Sequence, residues 1–176
     1  ADRLAAYPFQ LSGGQRQRAL IAMMLAGQPS VLIADEPTTA LDVTVQAQIL
    51  RLLKGLQADF GMGLLLITHD LDVARDMADR IAIMYAGEIV ETATRDTLYG
   101  NPRHPYTRRL FDVLPSVERR GQRLAQIPGS VPAPDAWPAG CRFASRCPRA
   151  MDVCRTQTPV LKPAVDPDRL VACHLY

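Results

Sequence analysis

The sequence predicts an α/β layered domain followed by a smaller, irregular extension, and three observations carry this. Between Leu11 and Thr92, stretches of helical periodicity alternate with short apolar runs, the pattern of a layered α/β fold. Two of those runs end on side chains that carry chemistry, Asp35-Glu36 and His69-Asp70. Beyond residue 95 the alternation fades, and all four cysteines fall between Cys141 and Cys173. The expected division is a domain over residues 1–95 and an extension over residues 96–176.

Residues 1–10 read as a lead-in, with a turn at Tyr7-Pro8. The first expected helix covers residues 16–26, with Ala19, Leu20, Ala22, Met23 and Ala26 on one face. Ser12 is a suitable N-cap, and Gly13 and Gly14 let backbone come close to a ligand. Free N–H groups at a positive helix end make a candidate phosphate site. The alternative is an ordinary glycine-containing helix start. Gly27-Gln28-Pro29 ends this helix.

The run Val31-Leu32-Ile33-Ala34 reads as a parallel strand buried on both faces. Pro37 cannot donate to a ladder and ends it. Asp35 and Glu36 therefore stand at the carboxyl end of a strand, where open α/β sheets bind ligands. Adjacent carboxylates there suit Mg²⁺ and a water nucleophile, one holding the cation and the other orienting the water. The alternative is an acidic surface turn. A second helix is expected over residues 43–60, with an apolar stripe of Ile49, Leu52, Leu53 and Leu56. Gly61 and Gly63 flank the turn into a strand over residues 64–68. His69-Asp70 follows it, in the place Asp35-Glu36 holds on the first strand. A helix over residues 71–77, a strand over 80–85, a turn at Ala86-Gly87-Glu88 and a strand over 89–92 complete the pattern.

Residues 101–106 form a turn-rich approach to a helix over residues 107–114, and residues 119–123 are polar and basic. Residues 127–140 carry four prolines and read as irregular. The cysteine-bearing tail shows few elements, so something other than an apolar core is expected to hold it. The cysteine spacing is C-x5-C-x6-C-x18-C, neither the C-x2-C zinc pair nor the ferredoxin run.

The chain has 176 residues, enough for one ordinary domain with an appendage. A net charge of +2 implies no strongly basic or acidic partner surface. The Arg-rich stretch 103–123 is interleaved with Asp112 and Glu118 and poor in aromatics. It reads as a solvated helix face, with no nucleic acid expected. No apolar run approaches the roughly 18 residues that span a bilayer. The first residue is Ala, with no charged-then-apolar leader, so the chain reads as the interior of something longer.

Taken together, these residues resemble the nucleotide-binding subunit of ABC transporters. LSGGQ at residues 11–15 looks like that family's signature motif, and VLIADEP at 31–37 like its Walker B strand with the catalytic Glu. TALD at 39–42 looks like its D-loop, and ITHD at 67–70 like its switch-His loop. HPYT at 104–107, IPGSVP at 127–132 and GCRFASRCP at 140–148 look like the carboxy-terminal extension of the oligopeptide/dipeptide transporter ATPases. LDVTVQAQIL at 41–50 is similar to the same subfamily. The resemblance covers almost the whole chain. It departs in lacking any G-x-x-x-x-G-K-[ST] and any Gln-containing loop before the signature, and in Phe9, where members often carry His.

The resemblance implies the carboxy-terminal part of an ABC-type P-loop ATPase domain, a parallel-sheet core with flanking helices, plus a metal-stapled extension. It implies that Asp35 helps place Mg²⁺, Glu36 polarises the attacking water, and His69 contacts the γ-phosphate and senses it. Ser12, Gly13, Gly14 and Gln15 would bind the γ-phosphate of ATP held by the opposite subunit, and Asp42 would shape the dimer interface. It points to a [4Fe–4S] cluster on Cys141, Cys147, Cys154 and Cys173, with zinc or unligated thiols as alternatives. Disulfides do not suit a cytosolic protein. The implied partners are a second ATPase subunit, identical or paralogous, two membrane permease subunits, and indirectly a solute-binding protein. The implied location is the cytoplasmic face of the plasma membrane. The expected role is ATP-driven import of a dipeptide, a longer peptide, glutathione or nickel. The segment alone, without the phosphate-cradling loop and its Lys, is expected to show no ATPase. Two alternatives are a non-transport member of the superfamily, in DNA repair or translation, and a metal-stapled binding module with an ATPase remnant. The HPYT and Cys-rich segments speak against the first, and intact Glu36 and His69 against the second.

Overall fold

The computed structural model describes residues 5–113, 126–164 and 166–176. The basic run at 119–123 and the expected helix end at Leu114 lie outside the described residues. The chain divides into two units, Ala1–Ala78 and Asp79–Tyr176.

The first unit holds α1 (Gly13–Leu25), β1 (Val31–Asp35), α2 (Val43–Phe60), β2 (Gly63–Ile67) and α3 (Leu71–Met77). Helix α1 starts three residues before the expected position because Ser12 and Gln15 close a capping box. The Gln15 N–H donates to Ser12 Oγ at 3.4 Å, and the Ser12 N–H donates to Gln15 Oε1 at 3.1 Å. Asp42 caps α2 by accepting from the Val45 N–H at 2.9 Å, and Gly61 ends that helix at φ 60°. Strands β1 and β2 pair in parallel from Val31↔Gly63 to Asp35↔Ile67.

The core of this unit is Ile21, Leu32, Ile49, Leu53 and Met62, all buried. The expectation that β1 is covered on both faces does not hold among the described residues. Leu32 and Ala34 point inward, while Val31 is 59% and Ile33 65% exposed. The described helices supply cover only for the Leu32 side, so a continuous apolar run becomes an alternating strand.

The second unit holds β3 (Arg80–Tyr85), β4 (Glu88–Thr94), α4 (Arg95–Gly100), α5 (Pro105–Asp112), α6 (Val153–Thr156), β5 (Lys162–Ala164) and β6 (Asp166–Val171). The β3–β4 hairpin turns through Ala86 at φ 48° and Gly87 at φ 83°. The end of the chain comes back to it, giving an antiparallel sheet in the order β3-β4-β6-β5. Sequence reading did not anticipate β5 and β6, nor α4.

An apolar core does form in the tail, contrary to expectation. Ala164, Val171 and Cys173 are buried together. Phe143, 1% exposed, meets the rings of Tyr85 and Tyr106 at centroid distances of 5.1 and 5.4 Å, with His104 at 5.9 Å. The HPYT and CRF motifs thus share one aromatic cluster with the end of β3. Arg146 ties in the proline-rich segment, donating to Pro128 O at 2.8 Å, Ile127 O at 3.0 Å and Tyr85 Oη at 3.1 Å. Gly140 is required by packing, since a Cβ there would run into the carbonyl oxygen of Cys154 and the backbone of Arg155.

Beneath these contacts lies a buried ion pair, Glu91 with Arg169, at 0% and 2% side-chain exposure and 3.4 Å apart. Glu91 also accepts the N–H groups of Arg103 and His104 at 2.9 Å each. Arg169 also donates to the carbonyls of Asn101 and Thr97. Buried charges are tolerated only when paired and hydrogen-bonded in this way.

His104 is buried, and its Nδ1 accepts from the Tyr106 N–H at 3.1 Å, capping α5. Burial lowers its pKa to about 4. Below about pH 6.5 the unfolded chain takes up a proton at this side chain, while the folded chain resists until about pH 4. Acidification through that window therefore favours unfolding, by about 3 kcal/mol in all. His104→Asn keeps a capping acceptor without the titration. Urea unfolding at about pH 7 and about pH 4.5 is expected to show a smaller acid loss in the variant. Equal losses would remove His104 as the cause.

Candidate functional site

The parallel register brings the carboxyl ends of β1 and β2 side by side. One step past the last ladder pair, the Glu36 N–H donates to Ile67 O at 2.9 Å. The chain then turns tightly. The Thr39 N–H donates to Glu36 O at 3.1 Å, with Pro37 in the second position of the turn. Glu36 itself sits at φ 44°, in the left-handed region that non-glycine residues seldom occupy and that clusters at functional sites.

That geometry aims the Glu36 side chain at the second strand. Its Oε1 lies 3.0 Å from His69 Nδ1, and its Oε2 accepts from Thr39 Oγ1 at 2.7 Å. A carboxylate only accepts, so Nδ1 carries the hydrogen and the other ring nitrogen of His69 is left for a further partner. The Thr39 hydroxyl, and then His69, hold the Glu36 carboxyl below its ordinary pKa. Both side chains reach solvent, His69 at 78% exposure and Glu36 at 44%. Asp35, at the end of β1, is also exposed.

Asp70, next to His69, has a structural place. It caps α3 by accepting from the Asp72 and Val73 N–H groups at 2.9 and 3.1 Å, and it accepts from Gln46 on α2 at 3.4 Å. Gly13 and Gly14 have a packing reason beside the ligand one. A Cβ on Gly13 would lie 2.9 Å from Leu41 Cδ2, and one on Gly14 would lie 2.6 Å from Val45 Cγ1. The start of α1 therefore packs directly on the loop that precedes Asp42 and on the helix that follows it. Gly13 and Gly14 thus meet Leu41 and Val45, on either side of Asp42, and Glu36 meets His69, with Asp35 its neighbour in sequence; all lie within the first unit. Sequence reasoning placed Thr39 in the D-loop motif but gave its hydroxyl no role, although its position three residues after Glu36 across a Pro turn was visible. It also missed the S-x-x-Q capping box.

The sequence pattern of the ABC transporter family matches residues 1–39. That of the oligopeptide/dipeptide transporter carboxy-terminal region matches residues 90–154. The oligopeptide transport ATP-binding protein AppD of Bacillus subtilis is 53% identical over 97% of this chain and 52% of its own length. The dipeptide transport ATP-binding protein DppD of Escherichia coli is 50% identical over 99% of this chain and 53% of its own. A probable peptide ABC transporter ATP-binding protein of Sinorhizobium fredii is 52% identical over 97% and 51%. The chain belongs to the oligopeptide/dipeptide ABC transporter ATP-binding protein family. It spans about half the length of the curated relatives it matches.

Family membership does not rescue one expectation, the iron–sulfur cluster on Cys141, Cys147, Cys154 and Cys173. Among the described residues no group of three or more His, Cys, Asp or Glu side chains is arranged to hold a metal ion. All four cysteines are free thiols, and Cys154 and Cys173 are buried. Burial pushes the thiols of Cys141, Cys147 and Cys173 above their ordinary pKa. Cys173 packs with Ala164 and Val171 in the apolar core of the tail, while Cys141 and Cys147 are half-buried.

Proposed function

We propose that this chain is the carboxy-terminal part of the ATP-hydrolysing subunit of a peptide importer. The observation that carries the reading is the Glu36–His69 contact at the carboxyl ends of two paired parallel strands, beside Asp35. Residues 1–95 belong to the ATPase domain and residues 96–176 to the transporter-specific extension. The relatives named for oligopeptide and dipeptide transport support a peptide as the solute. The transporter match over residues 90–154 favours this over a repair or translation ATPase.

Asp35 offers the exposed carboxylate that suits the Mg²⁺ accompanying ATP, a hard cation that prefers oxygen donors. Glu36 accepts a hydrogen bond from the attacking water and orients it. His69, its Nδ1–H held by Glu36, turns its other nitrogen to the γ-phosphate. Ser12, Gly13, Gly14 and Gln15 receive the γ-phosphate of a nucleotide bound by a second ATPase subunit, and Asp42 stands at that interface. ATP then stabilises the paired state and its hydrolysis loosens it. Among the described residues no helix is long and apolar enough to cross a membrane. The subunit instead sits on the cytoplasmic face, attached to two permease subunits and served by a solute-binding protein.

Co-expression of the complete subunit with its two membrane subunits tests this. The three proteins are expected to co-purify, with ATP hydrolysis that rises when peptide-loaded binding protein is added. Turnover that is indifferent to membrane subunits and peptide would overturn the transport reading.

A further inference from the structure

We propose that Thr39 is a positioning residue for hydrolysis: its hydroxyl holds one oxygen of the Glu36 carboxylate while His69 holds the other, fixing the face that carboxylate offers to the attacking water. The proposal rests on the reading of Glu36 given above.

Three features of the geometry carry it. First, the two contacts fall on different oxygens, Thr39 Oγ1 to Oε2 at 2.7 Å and His69 Nδ1 to Oε1 at 3.0 Å. A glutamate at 44% exposure with only one partner keeps rotamer freedom about its long side chain. Donors on both oxygens remove that freedom, and each oxygen still has an acceptor direction left for water. Secondly, the hydroxyl is not needed to make the turn. The Thr39 N–H already donates to Glu36 O, and Pro37 is buried in the second turn position. Nor does Thr39 cap α2, a role Asp42 fills. The hydroxyl bond is therefore additional to the backbone structure, and its one visible partner is the carboxylate. Thirdly, Thr39 belongs to the loop that packs on α1, since Leu41 lies against Gly13. The residue that aims Glu36 is thereby tied to the segment proposed to meet a neighbouring subunit's nucleotide. Small misplacements of a reacting group lower the rate steeply.

The test uses the complete subunit assembled with its partners, and compares Thr39→Val, Thr39→Ser and Glu36→Gln. Thr39→Val keeps the shape and loses the hydroxyl. It is expected to lower kcat roughly tenfold with KM for ATP little changed. Thr39→Ser returns the hydroxyl and is expected to recover turnover to within about twofold of the native enzyme. In a Glu36→Gln background, Thr39→Val is expected to add no further loss. Melting temperatures are measured in parallel, and Thr39→Val is expected to melt with the native enzyme. The proposal is overturned if Thr39→Val turns over like the native enzyme, if Thr39→Ser falls as far as Thr39→Val, or if the loss follows a drop in KM-controlled binding alone. Native turnover in Glu36→Gln sinks the reading of the site itself. Inactive Glu36→Gln with unaltered Thr39→Val sinks only the role of Thr39.

Discussion

Glu36→Gln in the complete subunit is expected to lower kcat for ATP at least about a hundredfold while ATP still binds. Glutamine matches the volume of the native side chain and inherits the same left-handed backbone at φ 44°, so the fold of the turn is not the variable. What changes is chemical. The native carboxylate is held ionised by the Thr39 hydroxyl and His69, and it presents acceptors only. The amide puts a donor where one of those acceptors stood. The amide oxygen can keep the His69 Nδ1–H while the Thr39 hydroxyl turns to accept from the amide N–H, but the negative charge is gone and the side chain orients water poorly. Uncleaved ATP is then expected to hold two subunits together, seen as a dimer in gel filtration with ATP and Mg²⁺. Turnover within tenfold of native would remove Glu36 from the chemistry.

The second large effect concerns the extension. Glu91→Gln removes the carboxylate that faces Arg169, buried at 2% exposure, and breaking a buried pair on one side costs about 3–5 kcal/mol. The amide also faces two backbone N–H groups, those of Arg103 and His104, with only one oxygen to give them. Trp137 is the sole tryptophan and lies in the same unit, its ring 3.3 Å from the Arg142 guanidinium carbon. Its fluorescence during urea unfolding reports the loss. The double variant Glu91→Gln with Arg169→Met is expected to lose less than the two single losses added together, because both members of the ion pair are then removed as a unit. Strict additivity would show that the pair is not a unit.

These two sites were unequally legible in the sequence. The hydrolytic constellation was readable because its signal is local. An apolar strand ends on Asp35-Glu36, another ends on His69, and parallel pairing puts equivalent strand ends together. Helix α2 was readable for the same reason, with Asp42 at its start and Gly61 at its end. The Glu91–Arg169 pair was not, because its partners are 78 positions apart and meet only once β6 returns to β4. A short strand with an arginine and a proline gives no alternating pattern to read. The cysteines misled for a related reason. Their clustering in sequence suggested shared ligation, while an aromatic cluster and a short returning sheet supply the packing instead. The burial of β1 was overestimated because an apolar run does not say how many of its neighbours are present.

The register between β1 and β2 sets a rule for which changes of chain length this protein tolerates. Asp35 is level with Ile67, and that pairing alone delivers Glu36 to His69. One residue gained or lost within residues 31–36 or 63–69 slides one partner along by about 3.3 Å and turns its side chain to the opposite face. The carboxylate and the imidazole would then no longer meet. The exposed turn at Gly61 lies outside both intervals. A residue inserted there lengthens the connection without touching the pairing. Insertions and deletions in natural variants of this chain are therefore expected at that turn and absent from the two strand ends.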